Sequence, residues 1–130
     1  MTQQAGTTGG QRVASVTFDN DIGVIAVNNP PVNTINAAVR EGLSTAIDVI
    51  TATRDLRAVV LVCEGSTFFS GADINEFSGP PKEAEYRALF AKLEGLAVPV
   101  VAAMHGTVMG GGLEIALACH YRVAVPTARF

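Results

Sequence analysis

The sequence contains no tryptophan, only two cysteines and few charged or aromatic side chains. Its 12 acidic and 9 basic residues leave a net charge of −3, which excludes the broad basic surface typical of proteins that bind nucleic acid or anionic membranes. Its apolar runs at 58–62 and 96–104 are far shorter than the about 20 residues of a membrane-spanning helix. These shortages favour small-molecule chemistry, with no nucleic-acid partner and no membrane span.

Both cysteines, Cys63 and Cys119, lie in apolar stretches without a CxxC neighbour, so free buried thiols in a reducing compartment are expected. The polar segment 1–11 lacks Lys, Arg and any apolar run, which is unlike a secretory or transit peptide. We therefore predict a flexible N-terminal segment over 1–11 and a cytoplasmic protein. The remaining residues, 12–130, suffice for one apolar core and predict one globular unit.

Apolar periodicity divides the rest of the chain into strands and helices. Strands are predicted at 12–20, 23–27, 58–62, 99–104 and 121–125, the first two as a hairpin. Helices are predicted after Asn36, a candidate N-cap, and at 82–94 and 113–119. In the first helix, Arg40 is placed on the polar side, away from the apolar stripe. The alternation predicts an α/β fold with a parallel sheet.

Three successive glycines, Gly110, Gly111 and Gly112, stand between a predicted strand and a predicted helix. Their backbone N–H groups are unobstructed by any Cβ and lie at the positive end of the helix dipole, where they can hold a developing oxyanion. A tight turn in which glycine merely permits positive φ explains the same residues equally well. The run lacks the G-x-G-x-x-G spacing of a dinucleotide site.

Glu114 lies in the first turn of that predicted helix, among Leu113, Ile115 and Ala116. We expect its carboxylate to be at least partly removed from water and suited to general acid or base catalysis. The alternative carries equal weight: an exposed carboxylate that complements the helix dipole, worth about 0.3–1 kcal/mol.

A second small-residue turn, Ser70–Asp73, follows the predicted strand at 58–62. Two such turns, each after a buried parallel strand, can present two N–H groups to one carbonyl oxygen. Taken alone, this turn is more simply explained as a glycine turn before a short helix capped by Asp.

Several separated segments together resemble the crotonase, or enoyl-CoA hydratase/isomerase, superfamily. They are F-F-S-G-A-D-I at 68–74, P-V-V-A-A at 99–103, G-G-G-L-E-I-A-L-A-C at 110–119 and R-V-A at 122–124, in the family order. The segments N-P-P-V-N at 29–33 and C-H-Y-R at 119–122 are further similar to the hydratase/isomerase portion of multifunctional β-oxidation proteins, in which a hydroxyacyl-CoA dehydrogenase follows.

The resemblance implies the N-terminal portion of a ClpP/crotonase-like spiral of ββα units. It implies that the N–H groups of Ala72 and Gly111 form an oxyanion hole for an acyl-CoA thioester. Glu114 would be one of two catalytic glutamates that hydrate or isomerise the enoyl double bond in fatty-acid β-oxidation. The residues implied in substrate and CoA binding are Ser70, Gly71, Ala72, Asp73, Ile74, Gly110 and Gly111.

The resemblance also implies partners and cofactors. No metal and no cofactor are expected, because coenzyme A is the substrate carrier, and NAD would enter only with a following dehydrogenase domain. A homo-oligomer, trimer or hexamer, or a place in a multifunctional β-oxidation protein is expected. The family pattern continues F-G-x-P-E, and the sequence ends at Phe130, its first letter. We therefore expect a core over 12–130 that is truncated before the second glutamate and the C-terminal helices and is inactive by itself.

Two other functions stay open on the sequence. One is a non-catalytic acyl-CoA-binding or oligomerisation module of a larger multifunctional protein. The other is a nucleotide site at the glycine turn, which is weakened by the lack of an adjacent Lys-Ser/Thr. His105 and His120 neighbour buried strands and have no nucleophile at a recognisable motif, so structural roles are predicted for both.

Overall fold

A computed structural model describes residues 2–8 and 11–130 of the chain, with side chains from Arg12 onward. The strands are β1 (Thr2–Thr8), β2 (Gln11–Asp19), β3 (Ile22–Val27), β4 (Thr34–Ile35), β5 (Ala58–Cys63), β6 (Gly71–Ala72), β7 (Val100–Met104) and β8 (Tyr121–Ala124). The helices are α1 (Ala37–Ala52), α2 (Glu83–Glu94), α3 (Gly111–Ala118) and a short 3₁₀ helix, Ile74–Glu76.

Six strands form one sheet in the order β1-β2-β3-β5-β7-β8. The pairs β1–β2 and β2–β3 are antiparallel, and the remaining pairs are parallel. The predicted hairpin is confirmed: Asp19 pairs with Ile22 around a turn at Asn20, whose φ of 54° is one that Asn tolerates. The predicted interior parallel strand is also confirmed, since β5 lies between β3 and β7. A separate parallel pair, β4–β6, lies at the candidate site.

The apolar core is formed by the sheet and α1. Burial alternates along β5, where every second side chain is buried. The Asn36 side chain accepts a hydrogen bond from Val39 N at 2.9 Å, which confirms the predicted N-cap. The predicted apolar stripe of α1 is buried, and each fully buried Leu or Ile contributes about 1.5–3 kcal/mol.

Arg40 lies on the buried side of α1, so the prediction that places it on the polar side is wrong. Its side chain is 4% exposed. Residue 40 is three positions before Leu43 and seven before Ile47, which are both buried, and therefore shares their helical stripe. A guanidinium is tolerated there because acidic side chains from other elements meet it.

The N-terminal residues differ from the flexible segment that we expect over 1–11. Thr2–Thr8 forms β1, which pairs antiparallel with β2, for example through Thr2 opposite Thr17. Main-chain hydrogen bonds hold a strand at a sheet edge without an apolar side-chain pattern, so composition gives no signal for it. Residues 1, 9 and 10 lie outside the described residues.

The second half of the chain follows the predicted order of helices and strands. The helix α3 begins at Gly111, two residues earlier than predicted, so two of the three glycines belong to its first turn. All four residues of β8 are exposed in this chain, although Tyr121 and Val123 are apolar. Within residues 2–8 and 11–130, no helix has the length and apolar character that crossing a bilayer requires.

Candidate functional site

The first turn of the candidate site connects β5 to β6 and is anchored by buried aromatic side chains. Phe68 and Phe69 are fully buried and pack edge to face, with ring centroids 4.9 Å apart. Gly71 has a φ of +136°, a conformation that favours glycine. The Asp73 carboxylate accepts a hydrogen bond from Asn75 N at 2.9 Å and caps the 3₁₀ helix. Ala72 is therefore held between a buried anchor and a capped helix.

The N–H group of Ala72, in β6, points away from the neighbouring strand β4. Across the β4–β6 pair, Asp73 N donates to Ile35 O at 3.2 Å. Successive N–H groups of a strand point to opposite sides, so the N–H of Ala72, one residue earlier, does not face β4. It is thus directed away from its own two-stranded sheet.

The second turn leads from β7 into α3 and ends on Gly110. This residue has φ 53° and ψ −128°, which a side chain would strain. Gly111 is the first helical residue, and the first N–H groups of a helix have no intrahelical acceptor. Along residues 11–130 its N–H finds no backbone acceptor, whereas the next amide, Gly112 N, donates to Met109 O at 3.0 Å. The Gly111 amide is therefore unpaired at the positive end of α3.

The two turns lie directly against each other. A Cβ atom added to Gly110 would lie 4.0 Å from the Cα of Gly71, and one added to Gly71 would lie 3.7 Å from the Met109 carbonyl oxygen. A Cβ at Gly112 would overlap the Phe69 carbonyl. The glycines thus permit an approach between backbones that side chains would prevent.

A cleft of about 430 Å³ opens beside Ala72. Its walls come from β6, the 3₁₀ helix and the start of α2, and it is lined by Ala72, Asp73, Glu76, Phe77, Gly79, Pro80, Pro81, Lys82, Glu83 and Tyr86. Phe77 is 73% exposed and Lys82 half-buried, while Asp73, Glu76 and Glu83 place carboxylates on the same lining, so the cleft offers apolar, cationic and anionic contacts.

The predicted binding residues are only partly brought together in this cleft. Ala72 and Asp73 line it. Gly71 and Gly110 meet where the turns touch, and Gly111 is buried next to them. Ser70 is half-buried and Ile74 is 74% exposed, and neither lines the cleft.

Glu114 is exposed in this chain, so the prediction that its carboxylate is partly removed from water is wrong for the chain as described. Its helix directs Ile115 and Ala116 into the core, while Leu117, at 60% exposed, shares the open side with Glu114. A shallow depression there is lined by Phe90, Glu94, Glu114, Leu117 and Ala118. The placement agrees with the alternative in which Glu114 complements the helix dipole.

The sequence interpretation missed two residues at the site, Arg40 and Tyr86. The guanidinium donates to both carboxylate oxygens of Glu76, at 2.8 and 3.3 Å, and its central carbon lies 5.3 Å from the centroid of the Tyr86 ring. Burial alone would lower the pKa of Arg40, but the contacts with Glu76, Glu85 and Tyr86 together outweigh it and the pKa is raised. Burial raises the pKa of Tyr86.

The two histidines contact backbone atoms. His105 Nε2 lies 2.8 Å from the carbonyl oxygen of Gly65, and His120 Nδ1 accepts from Val100 N at 3.0 Å. The first contact ties two loops together and the second ties a loop to β7, in keeping with the structural roles predicted. The described part of the chain contains no cluster of three or more His, Cys, Asp or Glu that could hold a metal ion. The expectation of no metal and no cofactor stays a prediction.

Comparison with known proteins identifies the protein family to which this fold and its paired glycine turns belong. The chain matches the enoyl-CoA hydratase/isomerase family over residues 17–130. It belongs to that family. The ClpP/crotonase-like fold class predicted from the sequence is confirmed by the structure of an enoyl-CoA hydratase from Bacillus anthracis, with a TM-score of 0.80 and 30% identity over 89% of this chain and 48% of that one.

Two curated relatives show what share of their own length the chain matches. It is 41% identical over 108 residues to the peroxisomal bifunctional enzyme of Danio rerio, which covers 83% of this chain and 15% of that protein. It is 33% identical over 122 residues to a probable enoyl-CoA hydratase of Bacillus subtilis (strain 168), covering 88% and 47%. The predicted similarity to multifunctional enzymes is confirmed, and the chain spans about half or less of these relatives.

Proposed function

We propose that the chain is the thioester-binding half of an enoyl-CoA hydratase or isomerase that acts in fatty-acid β-oxidation. In this proposal, the N–H groups of Ala72 and Gly111 hold the thioester carbonyl oxygen of an acyl-CoA substrate. Coenzyme A serves as substrate carrier, and no metal takes part. The remaining predicted binding residues, Ser70, Gly71, Asp73, Ile74 and Gly110, would shape the backbone around the ligand.

The observation that carries the proposal is the contact between the two turns. One supplies the Ala72 N–H, which faces away from its own sheet, and the other supplies the unpaired Gly111 N–H at the start of α3. Amides fixed in this way need no reorganisation when charge develops on an oxygen between them. Removing one such donor typically costs about 2.7–4 kcal/mol of transition-state stabilisation.

Glu114 is assigned as one of two acid/base groups in this proposal. Because its carboxylate is exposed in the described chain, the role requires that the open side of α3 be covered by further chain or by another copy. A trimer or hexamer, or a multifunctional protein, would supply such a cover. A cytoplasmic location is part of the same proposal.

A pair of substitutions at Gly111 tests the oxyanion hole in the full-length protein. Gly111→Pro deletes the N–H at the first helical position, where proline is tolerated. Gly111→Ala keeps the N–H and introduces a Cβ 3.2 Å from Ile35 Cδ1 and 3.3 Å from Tyr86 Cε1, so it measures the steric cost of the Cβ that both variants share. For crotonyl-CoA hydration we expect Gly111→Pro to have a kcat about 10²–10³-fold below that of Gly111→Ala. Equal activities in two folded variants would refute the oxyanion role.

The exposure of Glu114 favours one other function, an acyl-CoA-binding module that performs no chemistry. It predicts that the full-length protein binds crotonyl-CoA, measured by titration calorimetry, but does not hydrate it under any condition in which it binds. Turnover that is lost in Gly111→Pro excludes this module. Binding without turnover would exclude the enzyme.

A further inference from the structure

The side chain of Arg40 connects three elements that surround the candidate site. Arg40 extends from α1 and binds Glu76, in the 3₁₀ helix, through two hydrogen bonds of 2.8 and 3.3 Å. Its Nη2 also lies 3.5 Å from Glu85 of α2, and its guanidinium lies over the ring of Tyr86 on the same helix. One buried cation thus joins α1, α2 and the 3₁₀ helix.

Two of these contacts, those with Glu76 and Tyr86, each lead to one of the two turns. Glu76 ends the 3₁₀ helix that Asp73 caps, and Asp73 directly follows Ala72. On the other side, a Cβ placed on Gly111 would meet the Tyr86 ring carbon Cε1 at 3.3 Å, so the ring lies against the start of α3. Moving the guanidinium would therefore disturb the supports of Ala72 and Gly111 together.

The surroundings of Arg40 give it little freedom to move. Its side chain is 4% exposed and Glu76 is 19% exposed, so water competes weakly for their hydrogen bonds. A guanidinium that left these partners would lose two charge-assisted hydrogen bonds without regaining them from water, which is costly for a buried group.

We propose that Arg40 is a positioning residue that holds the turns of Ala72 and Gly111 at the separation needed for both amides to bind one oxygen. The inference rests on the proposed function. Arg40 itself does not touch the ligand; it acts through Glu76 on one turn and through Tyr86 on the other. Its loss should therefore weaken stabilisation of the transition state more than binding of the substrate.

The test uses Arg40→Gln and Glu76→Gln in the full-length protein, with Arg87→Gln as matched control. Arg87 and Glu83, both in α2, form an equally short ion pair of 2.8 Å. Unlike Arg40 and Glu76, each of these two side chains is 76% exposed. For crotonyl-CoA hydration we expect kcat to fall about 10²-fold in Arg40→Gln, the usual effect of misplacing catalytic groups by about 1 Å, with KM changed less than about threefold. Arg87→Gln should match the wild type.

A spectroscopic measurement separates positioning from a general loss of structure. A conjugated enoyl-CoA such as cinnamoyl-CoA absorbs at longer wavelength when hydrogen bonds polarise its carbonyl group. We expect the bound ligand to show this shift in the wild type and Arg87→Gln, and a clearly smaller shift in Arg40→Gln and Glu76→Gln at saturating protein. If Arg40→Gln does not fold, Glu76→Gln, which keeps the guanidinium, decides the matter.

The outcomes are distinct for the two proposals. A wild type that binds cinnamoyl-CoA without any shift overturns the proposed oxyanion hole, and the role of Arg40 falls with it. A wild type that shows the shift, together with folded Arg40→Gln and Glu76→Gln variants that keep both shift and kcat, overturns the positioning role alone. A variant in which only KM rises overturns it as well, because that pattern reports lost ground-state binding.

Discussion

Thr67 and Thr107 are joined by a reciprocal pair of hydrogen bonds. The Thr67 hydroxyl donates to the Thr107 carbonyl at 2.8 Å and accepts from the Thr107 N–H at 2.7 Å. Thr67 belongs to the loop that leads to Ala72, and Thr107 to the loop that leads to Gly111. Gly106 lies so close to the first loop that an added Cβ would be 2.6 Å from the Ser66 carbonyl oxygen. One hydroxyl thus fastens together the loops that carry both candidate oxyanion donors.

Thr67→Val should destabilise the fold, because it keeps the shape of the side chain and leaves the Thr107 N–H and C=O without their partner. Thr67 is 6% exposed, so water replaces the lost hydrogen bonds poorly. We expect the free energy of unfolding to fall by about 1–3 kcal/mol in urea titrations. Thr51→Val is the control: Thr51 is exposed, its hydroxyl donates to Ile47 O within the same helix, and the change should stay within about 0.5 kcal/mol. Equal effects at both positions would show that the loop contact adds nothing.

Because its two thiols are buried, we expect the protein to lose stability at alkaline pH. Burial raises the pKa of Cys119 to about 12, and burial also raises that of Cys63. Above pH 9.0, the ordinary thiol pKa, the unfolded chain releases protons that the folded chain keeps, so unfolding is increasingly favoured. The contribution of the protonated, buried thiols to the free energy of unfolding is complete below pH 9 and is lost as the pH rises towards 12.

Unfolding free energies measured between pH 8 and 11 check this prediction. We expect no slope from these groups below pH 9 and a decrease of about 1 kcal/mol per pH unit for each thiol above it. Cys119→Ala, which removes one titrating group, should show a shallower decrease than the wild type. An identical slope in Cys119→Ala would rule out the thiol as its source.

Much of the fold can be predicted from the sequence because its signals are local. The alternation in β2 and β3, the Asn36 cap and the apolar stripe of α1 each depend on residues a few positions apart. The pairing of β1 with β2 and the burial of Arg40 depend on contacts between distant segments. Arg40 and Glu76 are 36 residues apart, and neither position alone indicates that a carboxylate will neutralise a buried guanidinium.

At the candidate site, too, the local features could be predicted from the sequence and the long-range contacts could not. The two glycine turns are evident as motifs, but their contact at Gly71 and Gly110 is a property of the folded chain. The exposure of Glu114 could not be predicted from its apolar neighbours, because Leu113 and Leu117 indicate an apolar helix without showing which of its sides is covered. Helical position relates residues on one helix and leaves open what lies opposite them.

Glu114→Gln decides whether the exposed carboxylate is catalytic or only complements the helix dipole. If it is one of the acid/base groups, the variant of the full-length protein should hydrate crotonyl-CoA at least about 10²-fold more slowly, since general acid–base catalysis contributes about 10²–10⁴-fold. The dipole role alone predicts near-normal turnover and a stability loss of about 0.3–1 kcal/mol at most.

Glu94→Gln is the matched control, because Glu94 lines the same depression at the end of α2 and has no assigned role. Activity is measured as loss of the conjugated thioester absorbance, and unfolding in urea shows that both variants are folded. Normal turnover in a folded Glu114→Gln variant would remove Glu114 from the mechanism while leaving the Ala72 and Gly111 amides to be judged by the proline substitution.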